Sequence, residues 1–288
     1  MFDYQIKKLP KKTFELLVKI PQTTIKDEYK NSFERLQKEL EVEGFRKGKV
    51  PRAIAEKHLK KEAIYEETIK ELLPKIYQDI LKKENLQPII NPKIELVKEK
   101  ENESWEVKIT IAGRPTIELK DYKTIVQKAK AKAKKEEIWV PGKTSDTKPD
   151  KEKDKQKIIN EILNGLLNET ELEISDLIVE DELNRRLTQL LDEIQKIGLT
   201  VEAYLKSKNL TMDQLKERFK KEISDTYKLE FILQEIADKE EIKVEKADID
   251  KLLSAIKEEK ERKLAEQNAY FYAAVLRKQK TLDFLLSL

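Results

Sequence analysis

The sequence predicts an α+β N-terminal domain, an antiparallel sheet with helices on one face, followed by a mostly α-helical C-terminal domain. Three observations carry this. Apolar residues alternate with polar ones along Phe2, Tyr4 and Ile6, along Phe14, Leu16, Val18 and Ile20, and along Trp105, Val107, Ile109 and Ile111. Period two is the pattern of a strand with one buried face. Elsewhere, and throughout the second half, the apolar spacing is that of helices with one buried stripe. Composition agrees, with 40% charged against 39% hydrophobic residues and only 6 Gly in 288, which favours long solvated helices over a compact enzyme rich in glycine loops.

The first two alternating runs give two strands separated by the Leu9-Pro10 break. Thr24 followed by Asp27 has the form of a capping box and should open a helix striped by Ile25, Tyr29, Phe33, Leu36 and Leu40. A short helix is expected at about 51–59. A longer one follows through Ile64, Ile69, Leu72, Leu73, Ile76, Tyr77, Ile80 and Leu81, which Pro74 should kink or interrupt. Pro88 and Pro92 close the helical part. Ile94 to Val97 and the run from Trp105 then read as a hairpin, with the polar stretch 98–104 as its loop.

We place the α+β domain at residues 1–127, its sheet and helices filling the first ~115, a lysine-rich linker at 128–157 and the helical domain at 158–288. In the linker Lys128, Lys130, Lys132, Lys134 and Lys135 are interleaved with Ala, and no apolar periodicity survives except Ile138-Trp139-Val140. It reads as a partly disordered tether, with its lysines solvated or touching RNA. In the helical half Ile158, Ile159, Ile162, Leu163, Leu166 and Leu167 line one face. Ile178, Leu183, Leu187, Leu190, Leu191, Ile194 and Ile197 line another, stopped by Gly198. Thr211 with Gln214 is a capping box for a helix through Leu215, Phe219, Ile223 and Tyr227 to Ile236. A further helical region carries Leu252, Leu253 and Ile256, and the chain ends on an apolar segment with Tyr270, Phe271, Val275, Leu282 and Leu285.

Several function classes find no residues to carry them. There is no Cys, so disulfides, thiolate metal sites and cysteine nucleophiles are absent together. The single histidine, His58, lies on a Lys- and Glu-rich helix with no nucleophile motif near it. No phosphate loop, zinc spacing or dinucleotide fingerprint occurs. Carboxylate pairs are everywhere in so charged a chain and locate no active site. We therefore expect no catalytic residue, no cofactor and no metal. Cations and anions nearly cancel to a net charge of +3, so any basic patch must be local. With no apolar leader and no stretch near membrane-spanning length, a cytoplasmic protein without membrane partners is expected.

One stretch stands apart from this pattern: Gly44-Phe45-Arg46-Lys47-Gly48-Lys49-Val50-Pro51. Two glycines suit tight turns whose dihedrals are closed to other residues, and Pro51 stands where the next helix should begin. A Phe on a polar loop tip either folds back onto the core or waits for a partner. The string resembles the signature G-F-R-x-G-K-x-P of the trigger factor family, bacterial ribosome-associated chaperones. All six fixed positions match, as Gly44, Phe45, Arg46, Gly48, Lys49 and Pro51.

The second half is similar to the same family in two stretches. One runs from Asn168-Glu169-Thr170-Glu171-Leu172-Glu173-Ile174 into Val179-Glu180-Asp181-Glu182-Leu183. The other joins Gly198-Leu199-Thr200-Val201-Glu202-Ala203-Tyr204-Leu205 to Leu210-Thr211-Met212-Asp213-Gln214-Leu215.

The resemblance implies docking on the large ribosomal subunit near the tunnel exit, on ribosomal protein and rRNA, through Gly44, Phe45, Arg46, Lys47, Gly48, Lys49 and Pro51. It also implies that nascent or unfolded polypeptides are shielded by the helical half, and it leaves a weak homodimer open. The family joins ribosome-docking, peptidyl-prolyl isomerase and helical chaperone domains, and an isomerase domain would need ~90 or more residues with several strands. The linker is too short for it, so no isomerase activity is expected. An rRNA- or nucleic-acid-binding protein, or an isomerase, remain the alternative readings.

Overall fold

The computed structural model describes residues 2–98, 103–135, 151–256 and 258–288. Two compact units emerge, one of Met1–Arg114 with Ser175–Ile178, the other of Pro115–Ile174 with Val179–Leu288.

In the first unit the strands are β1 (Asp3–Leu9), β2 (Thr13–Ile20), β3 (Lys93–Lys98) and β4 (Trp105–Ala112), and the helices are α1 (Gln22–Glu39), α2 (Arg52–His58) and α3 (Lys61–Glu84). The sheet order is β1-β2-β4-β3, every pair antiparallel. In the register Leu16 stands opposite Ile109, Val18 opposite Val107 and Ile20 opposite Trp105. These six side chains share one face and all are buried, as the alternation requires. Ile25 of α1 and Leu72, Leu73, Ile76 and Ile80 of α3 close the same core. The opposite face is polar, with ion pairs from Lys108 to Glu95 and from Lys98 to Glu106.

Two local expectations differ from what is observed. Helix α1 begins two residues before Thr24, behind Pro21, and no side chain caps it, so Thr24 and Asp27 do not act as a capping box. Proline at the boundary already fixes the backbone for helix entry. Pro74 does not interrupt α3, which runs unbroken from Lys61 to Glu84. Pro74 and Lys70, whose carbonyl loses its helical partner, both lie on the exposed side, where water is free to take up the missing bond.

The first unit also takes in residues from far along the chain. Lys11 and Lys12, at the β1–β2 turn, adopt left-handed φ of 59° and 53°. Beside them the Thr13 hydroxyl shares a 2.8 Å hydrogen bond with the buried Ser175 hydroxyl, and Lys11 pairs with Asp176 at 2.8 Å.

The second unit is helical: α4 (Tyr122–Lys135), α5 (Lys151–Glu169), α6 (Asp176–Lys196), α7 (Val201–Lys208), α8 (Met212–Lys239), α9 (Lys246–Ala255), α10 (Glu259–Gln267) and α11 (Ala269–Ser287). The stretch expected as a linker is therefore helical at both its described ends. Tyr122, Ile125, Val126 and Ala129 form a buried i, i+3, i+4, i+7 stripe, continued through alanines that favour helix. Helix α4 packs closely on α5, where a Cβ added to Gly165 would lie 3.2 Å from Ile125 Cγ2. Three lysines of α4 serve the unit itself: Lys123 pairs with Glu240, Lys132 with Glu161, and Lys130 donates to the Leu286 carbonyl. Ile138-Trp139-Val140, the run 141–149 and most of the expected 98–104 loop lie outside the described residues.

Gly198 ends α6 at φ 71°, with the Leu199 amide donating to the Ile194 carbonyl at 3.1 Å, the expected left-handed stop. The Thr211–Gln214 capping box opens α8 with both of its hydrogen bonds formed. Thr200 caps the α7 helix, which apolar spacing did not reveal. Leu183, Leu215, Phe219 and Ile223 then bind α6 to α8.

The buried Tyr122 hydroxyl donates to the Glu240 carboxylate. Burial, and then this hydrogen bond, raise the phenol above its usual range. The same bond, with Lys123 beside it, holds the Glu240 carboxyl below the usual carboxylate range. The phenol therefore contributes stability below its unfolded pKa of ~10, and this is lost as pH rises beyond it; the carboxyl contributes above its unfolded pKa of ~4.3 and is lost as pH falls below it. Thermal melts against pH should show Tyr122→Phe less destabilised above pH ~10 than the parent, relative to pH 7. Parallel curves for the two proteins would contradict this.

Candidate functional site

The predicted loop is built on a second, smaller core of the first unit. Phe33 of α1, Val50, Ala55 of α2 and Ile64 of α3 are buried together, with Leu36, Val42 and Ile54 packed around them. Gln37 of α1 donates its side-chain amide to the Val50 carbonyl at 2.7 Å, so the end of the loop is held on both sides. The Arg52 guanidinium lies 5.2 Å from the Phe33 ring centroid and also pairs with Glu56 at 3.0 Å.

Between these supports the chain makes two successive turns. The Phe45 amide donates to the Val42 carbonyl at 3.0 Å, and the Lys49 amide to the Arg46 carbonyl at 2.9 Å. The third residue of each turn is a glycine with positive φ, Gly44 at 86° and Gly48 at 75°. Turns with left-handed φ at that position take glycine because a Cβ would clash. Gly48 carries a second constraint, since a Cβ there would stand 3.1 Å from the Lys38 carbonyl oxygen, whereas the space at Gly44 is open. Pro51 caps α2, and its carbonyl accepts from the Ile54 and Ala55 amides, each at 3.0 Å.

The tip is left to solvent. Phe45 remains 41% exposed and stands outside the Phe33 cluster. Arg46, Lys47 and Lys49 are exposed around it, with Lys47 in a solvated 3.4 Å pair with Glu41. The seven predicted residues thus form one continuous feature, an apolar ring among three cations on a clamped base. Sequence reasoning missed Gln37, because a side chain reaching the backbone thirteen residues on leaves no local signal. His58 is exposed on α2, and no cluster of His, Asp or Glu among the described residues could hold a metal.

The second unit carries apolar surface of its own. A pocket of about 170 Å³ lies between α6, α7 and α8, lined by Leu187, Leu191, Ile194, Val201, Tyr204 and Met212 among others. A larger groove of about 580 Å³ runs between α8 and α11, with Leu233, Ala237, Ala273 and Ala274 lining it beside Tyr270 and Phe271.

The first unit thus offers an aromatic and cations on a clamped loop, and the second unit leaves apolar grooves open. Comparison with known proteins gives the family. The model described as bacterial trigger factor protein matches residues 2–139, and that for the trigger factor C-terminus matches 147–287. The chain belongs to the trigger factor family. Curated trigger factors similar to it include that of Natranaerobius thermophilus, 30% identical over 132 residues that cover 46% of this chain and 30% of the relative. That of Lactobacillus gasseri is 36% identical over 118 residues, 41% of this chain and 26% of the relative. The matched stretch thus spans less than a third of each relative. A solved trigger factor chaperone, studied for promiscuous substrate recognition in folding and assembly, aligns with 98% of this chain and 99% of its own at a TM-score of 0.63 and 16% identity. That likeness establishes a shared fold.

The two loop glycines should respond differently to the same change. Gly44→Ala meets only the left-handed strain of roughly 1–2 kcal/mol. Gly48→Ala meets that strain and the Lys38 carbonyl as well, so it should lower the melting temperature further and speed exchange of the Lys49 amide. Equal effects at the two positions would show that the close approach does not constrain the loop.

Proposed function

We propose that this chain is a chaperone that docks beside the ribosomal exit tunnel through its Gly44–Pro51 loop and shields emerging polypeptide with its helical half. The observation that carries this is Phe45, held exposed between Arg46, Lys47 and Lys49 on a base clamped by Gln37 and Val50. An exposed ring on a rigid support reaches a partner's apolar pocket with little ordering left to do. Arg46 offers a planar fork to carboxylate or phosphate, and Lys47 and Lys49 add screened attraction to RNA. One short loop buries little area, so the complex should be transient, which suits a protein that must release its client.

The domains take their roles accordingly: 1–127 docks and 158–288 shields. Isomerase activity is absent from this reading, because only residues 140–146 lie between the two family-matched regions. A purely RNA-binding role has less support, since Lys123, Lys130 and Lys132 are engaged within their own unit.

Changing Phe45, Arg46 and Lys47 together to Ala should abolish co-sedimentation with ribosomes while leaving the melting temperature unchanged. Phe45→Ala alone should cost about 2 kcal/mol of docking energy. Affinity should fall with salt by a slope reflecting roughly two or three phosphate contacts. Retained association of the triple variant in low salt would overturn the docking role.

Client shielding and isomerisation are separated by one pair of assays. The chain should suppress light scattering by an unfolded client at near-stoichiometric amounts, since weak apolar contacts do not turn over. It should not accelerate proline-limited refolding, whose ~20 kcal/mol barrier demands a dedicated pocket. Acceleration at substoichiometric protein would refute the isomerase-free reading.

A further inference from the structure

The α8–α11 groove is edged by large exposed apolar side chains, among them Tyr270, the most exposed of the described residues' large apolar side chains. Tyr270 is 91% exposed, Phe271 62% and Val275 47%. Its volume of about 580 Å³ is several times the ~150 Å³ that accommodates a benzene-sized group. It therefore has room for several large side chains at once. The Ala237, Ala273 and Ala274 lining lets a backbone approach closely.

The walls decide the conformation of what enters. Both are helices, whose backbone donors and acceptors are used internally. An extended peptide laid there would find no backbone edge to pair with, only scattered side chains such as Gln234. A helix brings its own backbone bonds and presents apolar residues at i, i+3, i+4 and i+7.

The rims decide its charge. Glu230 stands on the α8 wall and Lys278 on the α11 wall, both exposed. Neither forms an ion pair among the described residues; Arg277, also at the groove, is taken by Asp238 at 2.7 Å. An occupant is matched when basic residues flank its apolar stripe toward α8 and acidic residues flank it toward α11, as flanking charges select partners in helix bundles.

We propose that the α8–α11 groove captures client segments as amphipathic helices whose apolar stripe carries basic residues on one flank and acidic residues on the other. This rests on the shielding reading above and names the class of client segment that this groove takes.

The test uses the full chain and a labelled synthetic peptide of about 18 residues, five helical turns, with leucines at helical spacing, lysines on one flank and glutamates on the other. One control peptide has the flanks exchanged, and a second has proline at its centre. The chain should bind the matched peptide with a gain in helical circular dichroism, and the proline peptide about tenfold more weakly or worse. Phe271→Ser should weaken the matched peptide by a similar factor. The double change Glu230→Lys with Lys278→Glu should transfer the preference to the exchanged peptide, and it rescues the test if the Phe271 variant misfolds.

Equal binding of the proline peptide, or an unmoved flank preference in the double variant, would overturn the proposal. So would a concentration-dependent dimer abolished by Phe271→Ser, which would give the groove to a second copy. Client light scattering is followed in parallel. Suppression without helix preference defeats the groove proposal alone; helix binding without suppression upholds it and defeats the shielding reading.

Discussion

Six side chains of β2 and β4, three from each, stand opposite one another in register and make one apolar plate. At about 25 cal/mol per Å² that plate is costly to leave wet, and α3 covers it with Leu72, Leu73, Ile76 and Ile80. Everything else in the first unit follows from that lid. At the N-terminal end of α3, Tyr65 packs on the edge of the sheet core, with its ring tilted between those of Trp105 and Tyr29. Arg35 of α1 bonds Glu28 at 2.8 Å and reaches Glu67 of α3 at 3.5 Å. Helix α1 is thereby fixed on α3 beyond the sheet, and the Phe33 cluster forms in the angle between them. The loop is presented by this second core.

An exposed aromatic on a floppy tip would close on the nearest apolar surface. Here the competing cavity is already filled by Phe33, Val50, Ala55 and Ile64, and the two glycine turns aim the chain outward. Exposure of Phe45 is thus enforced by packing elsewhere and by backbone geometry. The energy of the small core, together with the Gln37 bond, sustains a local arrangement that would be unfavourable by itself.

Much of this was legible in the sequence, and what was not has physical reasons. Strands read clearly because alternation reports one-sided burial directly, as at Trp105, Val107, Ile109 and Ile111. The loop read clearly because glycine spacing and an aromatic tip are local. Helix α4 was hidden because its lysine-alanine run masks the stripe of Tyr122, Ile125, Val126 and Ala129. Charge density suggested a tether, whereas Lys132 pairs with Glu161 and Lys130 donates to the Leu286 carbonyl within the helical unit. Pro74 does not end α3 because the cost of proline depends on whether the freed carbonyl faces solvent, and Lys70 is exposed. In α11 the apolar residues could not be sorted by type: Leu285 is buried while Phe271 is exposed, a distinction set by which neighbours arrive, and neighbours are a tertiary property.

The two binding surfaces solve opposite problems with the same forces. In the proposed docking role the Gly44–Pro51 loop meets one fixed partner, and its structure is spent on rigidity: two turns, a side-chain clamp and a filled core beneath. In the proposed shielding role the α8–α11 groove meets segments of many sequences, so its specificity has to lie in features that sequences share. Helical backbone satisfaction and an apolar stripe are such features, since any segment able to form an amphipathic helix supplies both. Small floor residues extend that tolerance because they demand no particular shape. Opposite charges on the two walls add an orientation without adding much affinity, because exposed pairs contribute only ~0–1 kcal/mol each. A surface built this way holds a segment weakly enough to let go once the segment's own apolar face finds the rest of its fold.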